Sequence, residues 1–201
     1  MIDARDGALR ADPRGFLAFH TTEPTASTVR WMSGATAPWR DQLAAIESLA
    51  HVLEQRGIDY WLFGGWAVDF WVGAVSRAHH DIDVAAWRHD YDVIRDSLVA
   101  TGWKHTPEEN EFAGTRFARG PAMVEFTFVF ADEAGRVLIE LGEGPVAWSQ
   151  SSFGDFRPEL LGVRCRSIPL ATLRDGKATP REGEGDAAKD HADFEALSRI
   201  P

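Results

Sequence analysis

Trp61-Leu62-Phe63-Gly64-Gly65-Trp66-Ala67-Val68-Asp69, then Ser76-Arg77, then His79-His80-Asp81-Ile82-Asp83, is the stretch whose reading decides the fold. Trp61-Leu62-Phe63 is a short apolar run that reads as a buried strand ending on two glycines. Gly64 and Gly65 let the backbone turn tightly and come close to a ligand. A helical segment follows from Ala67 to Val72 and stops at Gly73. Strand, glycine turn and helix N-terminus together make an anion site, because free N–H groups and the helix dipole both favour phosphate. Asp81 and Asp83 stand two apart, so in a strand both carboxylates share one face while Ile82 and Val84 take the other. Paired carboxylate oxygens beside a phosphate site suit a hard cation such as Mg²⁺. The chemistry this implies is metal-assisted phosphoryl or nucleotidyl transfer.

Upstream, Trp39, Leu43, Ile46, Ala50 and Leu53 form one stripe and predict a helix over 39–56, with Gly57 after its end. Residues 1–38 are rich in Thr, Ala, Pro, Gly and charge, and read as an N-terminal arm preceding one domain over 39–201. Downstream, a strand over 81–87 leads into a helix from His89-Asp90, with Tyr91, Ile94 and Leu98 inward and Gly102 at its stop. Strands are expected at 102–105, 112–119 and 122–130, with Gly120-Pro121 as the turn between the last two. Val124, Phe126, Phe128 and Phe130 alternate with Glu125, Thr127 and Val129, which turns the phenylalanines to a core and Glu125 to the opposite face. A turn at 132–135 and a strand at 136–141 follow. Residues 142–158 read as a loop around Trp148 and Phe153, 163–167 as a strand, and 169–174 as a short helix. A mobile stretch is expected over 175–186. A last helix spans about 186–198, with His191, Phe194 and Leu197 on its packing face. The alternation of strands and helices makes this an α/β chain.

The 201 residues include 44% hydrophobic ones, enough for a sizeable core. No apolar run approaches a membrane span, and no signal-peptide pattern opens the sequence. Cys165 is the single cysteine, a small core residue on an apolar strand, which suits a reducing cytoplasm. The formal net charge of −10 argues against a nucleic-acid partner and suits a cationic small molecule, or serves solubility alone.

Gly64-Gly65, a helix, Arg77 and Asp81-Ile82-Asp83, in that order and spacing, resemble the nucleotidyltransferase superfamily, and most closely its antibiotic-modifying branch of aminoglycoside and lincosamide enzymes. The likeness is sharpest over 60–86. It implies a polymerase-beta-like fold: a mixed, twisted sheet with flanking helices and a small C-terminal helical part. It implies transfer of a nucleoside monophosphate, AMP from ATP or another NTP, to a hydroxyl of a small antibiotic, with two Mg²⁺ ions. Asp81 and Asp83 would be metal ligands and catalytic residues. The family's third carboxylate falls on Glu125, as metal ligand, as base for the acceptor hydroxyl, or as both, with Glu140 a lesser rival. Gly64, Gly65, Trp66, Ser76 and Arg77 would surround the nucleotide. Lys189, in a Lys189-Asp190 pair, either meets the triphosphate or is an exposed helical charge.

Other residues keep two readings. Arg77 either pairs with phosphates or makes a rim salt bridge, and Asp69 is a cap or polar anchor. His79 and His80 fit orienting contacts better than ligation of Mg²⁺. Trp66 and Trp148 are the tryptophans placed near a ligand. The run Glu108, Glu109, Glu111 is a solvated turn or a holder of substrate amines. Two other functions compete: transfer to a macromolecule such as tRNA or a partner protein, as in toxin–antitoxin systems, and non-catalytic nucleotide binding. The oligomeric state, monomer or homodimer, is open.

Overall fold

A computed structural model describes residues 38–141, 144–178 and 184–201. Residues 1–37 of the arm expected over 1–38, the first residues of the expected loop at 142–143, and 179–183 of the expected mobile stretch lie outside the described residues, while Pro38, expected in the arm, belongs to the first helix.

The chain runs α1 (Pro38–Gln55), β1 (Tyr60–Leu62), α2 (Gly64–Val72), β2 (Ile82–Trp87), α3 (Tyr91–Ala100), β3 (Lys104–Thr106), β4 (Gly114–Arg119), β5 (Ala122–Ala131), β6 (Val137–Leu141), β7 (Gly144–Ala147), β8 (Glu159–Leu160), β9 (Val163–Arg164), α4 (Leu170–Lys177) and α5 (Glu184–Ser198). Pro38 opens α1, where its missing N–H costs nothing. The main sheet has the order β1-β2-β5-β4-β3, with β6 on β5 and β7 on β6. Only the β2–β5 pairing is parallel, so the sheet is mixed, as expected. Among the described residues no helix is long and apolar enough to cross a membrane.

Strand alternation divides the two faces of the sheet. Ile82, Val84, Ala86, Val124, Phe126 and Phe128 join the apolar sides of α1, α2 and α3 in the main core. On the other face, Ala85 and Val129 pack with Val137, Ile139 and Trp148 under the β6–β7 hairpin. That second cluster covers only the far end of β2 and β5. The near end of the same face carries Asp83 and Glu125, both half-buried.

Three elements differ from their expected form. The expected loop over 142–158 contains β7, an edge strand whose Pro145 stands opposite Glu140. Proline and glycine hide such a strand in the sequence, yet an edge tolerates a missing N–H. The expected strand over 163–167 is shorter, pairing Val163–Arg164 with Glu159–Leu160. Beyond it, Arg166 and Ile168 bond to Leu62 and close the outer edge of β1. The third difference is the face of α5. Leu197 is buried as expected, but His191 is exposed and Phe194 is 36% exposed. The packing face carries instead Asp190 and Asp193, 2% and 1% exposed.

Those two carboxylates hold the C-terminal helices to the body. Arg77 Nε and Nη2 donate to the two oxygens of Asp193 at 2.9 and 3.1 Å. Lys177 Nζ lies 2.6 Å from Asp190 and 2.9 Å from Asp193. Burial alone would push the Asp193 carboxyl up, but the bonds and charges of Arg77 and Lys177 win and hold it below its ordinary range. A lowered folded-state value stabilises above the ordinary carboxylate range and is lost as pH falls through the lowered value. Asp193→Ala should therefore lower unfolding stability by about 3 kcal/mol at neutral pH, the low end for breaking a buried pair because Arg77 keeps some solvent. The deficit should shrink in acid. Urea unfolding at two pH values checks this, and a neutral-pH loss under about 0.5 kcal/mol would remove the clamp from the account.

Candidate active site

The site begins where β1 turns into α2. Gly64 has φ +66°, and a Cβ there would overlap Asp83 Oδ2. Glycine is thus required both for the backbone and for the approach of the Asp83 carboxylate to the start of the helix. Phe63, at the N-cap of α2, provides no side-chain cap, and its own N–H donates to the Asp83 carbonyl at 3.1 Å. At the other end Gly73, φ +75°, closes the helix with an N–H to Asp69 O. Gly64→Ala should lower unfolding stability by about 1 to 3 kcal/mol, because Asp83 must move and an L residue strains at this φ. Urea unfolding reads this, and a loss under about 0.5 kcal/mol would remove the strain from the account.

At Gly65 a side chain would meet other side chains of the protein. A Cβ on it would overlap Arg77 Nη2 and stand 2.6 Å from His79 Nδ1. The space beside Gly65 is therefore filled by protein side chains. His79, 3% exposed in its side chain, places Nε2 2.6 Å from Asp69 Oδ2 and Nδ1 3.1 Å from Arg77 Nη1. Ser76 donates its N–H and hydroxyl to Asp69 Oδ1. Gln42 of α1 donates to His79 O at 3.1 Å. Buried Asp69 is thus the polar anchor of the 76–79 turn, and that turn delivers Asp81 and Asp83.

Asp83 lies directly opposite Glu125 in the parallel β2–β5 pairing, so the two side chains share a face as neighbours. Asp81, two residues earlier, is on the same side, close enough that its charge acts on Glu125. On the other flank Arg116 stands opposite Glu125 across the β4–β5 hairpin. Its Nε donates to Glu125 Oε1 at 2.7 Å, and its Nη1 lies 2.9 Å from Glu108 Oε1. Burial pushes the Glu125 carboxyl above the ordinary glutamate range against the pull of Arg116, and Asp81 adds to the push.

The other candidates lie as follows. Trp66 is 1% exposed, its ring 4.8 Å from that of His79, so it floors the 76–79 turn instead of lining an open site. Trp148 is 6% exposed and packs edge-on against Phe63 and Phe153 in the second core. Arg77 turns one edge of its guanidinium to Asp193, inside the body and not at a rim. Lys189 is partly exposed and pairs within α5 with Asp186, whereas Lys177 meets the buried carboxylates. Glu140 bonds to Arg88 at 2.8 Å, beyond the far end of β2 from Asp83. Glu111 pairs with His105 at 3.0 Å, while Glu108 belongs to the site through Arg116.

Sequence reasoning missed Arg116, Lys177, Asp193 and Gln42. For Arg116 a signal existed: a hairpin turning at Gly120-Pro121 pairs Arg119 with Ala122 and hence Arg116 with Glu125.

Donor chemistry tests whether a divalent cation belongs here. Three carboxylates on one face offer only hard oxygen, which fits Mg²⁺ or Mn²⁺. Among the described residues no three His, Cys, Asp or Glu side chains are already drawn together around one point. The donor types fit, and closing them around an ion requires side-chain movement, Glu125 first because Arg116 engages it.

A mixed sheet with an acidic face set against a glycine turn and helix N-terminus defines a nucleotidyltransferase-type protein. Solved structures agree at the level of fold. A lincomycin-bound lincosamide antibiotic adenylyltransferase, LnuA, aligns with a TM-score of 0.61 at 20% identity, over 80% of this chain and 97% of that one. ANT(2'')-Ia in complex with adenylyl-2''-tobramycin aligns with a TM-score of 0.55 at 19% identity, over 78% and 87%. Residues 45–197 match the aminoglycoside-2''-adenylyltransferase family, and the chain belongs to that family. A 2''-aminoglycoside nucleotidyltransferase of Escherichia coli is 37% identical over 43 residues, 21% of this chain, and a counterpart from Klebsiella pneumoniae matches equally. The matched stretch spans about a quarter of the length of those relatives, 24%.

Proposed function

We propose that this chain transfers a nucleoside monophosphate, AMP from ATP, to a hydroxyl of an aminoglycoside or lincosamide antibiotic, and so confers resistance in the cytoplasm where ATP is available. The observation that carries this reading is the cross-strand pair Asp83 and Glu125, with Asp81 beside them, set against the N-terminus of α2. Family membership and the antibiotic-bound state of two fold neighbours support it.

Asp81 and Asp83 would hold the divalent ions, with Glu125 as third donor or as base. Bound there, Mg²⁺ would supply Lewis acidity and neutralise charge on the reacting phosphate and on pyrophosphate. The first N–H groups of α2, beyond the Gly64 turn, are suited to phosphate oxygens. Glu125, with its proton affinity raised by burial and by Asp81, takes the proton of the acceptor hydroxyl as that oxygen attacks the α-phosphate. Asp69, His79, Ser76 and Gln42 fix the turn that carries Asp81. The site adds positioning and electrostatics rather than covalent chemistry. Glu108, which reaches this face through Arg116, adds to an acidic surface that suits an acceptor bearing amines.

The test is turnover of α-labelled ATP with Mg²⁺ against a panel of aminoglycosides and lincosamides. Label should move to at least one antibiotic with release of pyrophosphate. No transfer to any member of either class would overturn the assignment.

A further inference from the structure

The Glu125 carboxylate has two kinds of charged neighbour. On one side are the carboxylates of Asp81 and Asp83. On the other is Arg116, whose Nε and Nη1 bridge Glu125 and Glu108 at 2.7 and 2.9 Å. The three members differ in their access to water: the Glu125 side chain is 17% exposed, Arg116 39% and Glu108 38%. Arg116 therefore neutralises one of the carboxylates on the acidic face, from a strand position where its head is free to move toward solvent.

We propose that Arg116 is a built-in counter-cation that holds Glu125 in reserve and yields it when a divalent cation binds beside Asp81 and Asp83. This rests on the metal-dependent reading of the same face. The geometry supports exchange over a permanent pair for two reasons. Glu108 gives Arg116 a second anchor, so release of Glu125 does not leave the guanidinium unpaired. Glu125 and Asp83 are already adjacent in register, so only side-chain rotation separates the reserved carboxylate from its neighbours. Arg116 and the metal ion compete for one carboxylate, and two cations on one small face repel each other. Arg116 is a positioning residue: it acts through the Glu125 carboxylate that it holds.

Mn²⁺ titration of the nucleotide-free protein, followed by electron paramagnetic resonance, reads this competition without turnover. Arg116→Gln should bind Mn²⁺ about tenfold more tightly than the unmodified protein, because a unit positive charge a few ångströms from the ion is gone. Arg116→Lys keeps the charge but loses the fork, and should stay within about threefold of the unmodified protein. Equal or weaker binding by Arg116→Gln overturns the proposal while leaving the metal site standing. The proposal is also overturned if Arg116→Lys binds as tightly as Arg116→Gln. If the unmodified protein binds no Mn²⁺ at all, the metal-dependent reading falls and this inference falls with it.

Discussion

Asp83→Asn should stop nucleotidyl transfer and leave the fold standing. The change removes one negative charge and almost no volume. Its backbone carbonyl still accepts from Phe63, and its cross-strand place beside Glu125 is set by the main chain. What disappears is an anionic oxygen against Gly64 at the head of α2, where on the proposed reading a divalent ion and a triphosphate would be balanced. Loss of a single preorganised electrostatic group costs about 100- to 1,000-fold in turnover, and loss of a direct metal ligand should cost at least the upper figure. Melting temperature should change little, since the core beneath β2 is made by Ile82, Val84 and Ala86. Steady-state kinetics with a thermal melt of the same sample decides the matter. Turnover near that of the unmodified protein would mean that the metal is held elsewhere.

Glu125→Gln should lower kcat by about 100- to 10,000-fold, the range for a positioned general base. The amide oxygen can still accept from Arg116 Nε, so the hairpin register is kept while proton uptake is lost. Burial and Asp81 raise the carboxyl above its ordinary range, so Glu125, acting as base, would be protonated and idle below that raised value and would work as pH rises through it. The pH–rate profile of the unmodified protein should therefore carry an acidic limb that Glu125→Gln lacks. A normal rate in the variant would put the base on another residue. Joint loss of Mn²⁺ and ATP binding would make Glu125 chiefly a ligand.

Asp81, Asp83 and the glycine turn were legible because they are local. Two residues on one strand face, and a turn feeding a helix, need only the backbone period to be read. Glu125 was legible for a similar reason: it is the acidic residue on a strand of alternating phenylalanines. Whether it faces the two aspartates depends on which strands pair, and periodicity is silent on that. The buried carboxylates of α5 escaped because a search for an apolar stripe reads Asp190 and Asp193 as solvent-facing, while their partners Lys177 and Arg77 come from other elements. Trp66 misled in the opposite sense. A large aromatic after a glycine turn looks like a ligand wall, but here it fills the space under His79. β7 escaped because Gly144 and Pro145 argue for a loop, and only pairing with β6 makes them a strand.

The bond between Arg77 and Asp193 joins residues 116 apart in sequence. During synthesis the helix after the glycines and the strand bearing Asp83 emerge early, but the α5 partner of Arg77 is added only after the whole sheet has been translated. At about 5–20 residues per second the ribosome takes about 6 to 23 seconds to cover that interval. Through that interval the Asp193 side of this ion pair has not been made, while the start of the acidic strand lies only a few residues from Arg77. Translation therefore supplies the two holds on this turn at different times: the Asp69 anchor of Ser76 and His79 is made with the turn itself, and the Asp193 clamp on Arg77 comes last.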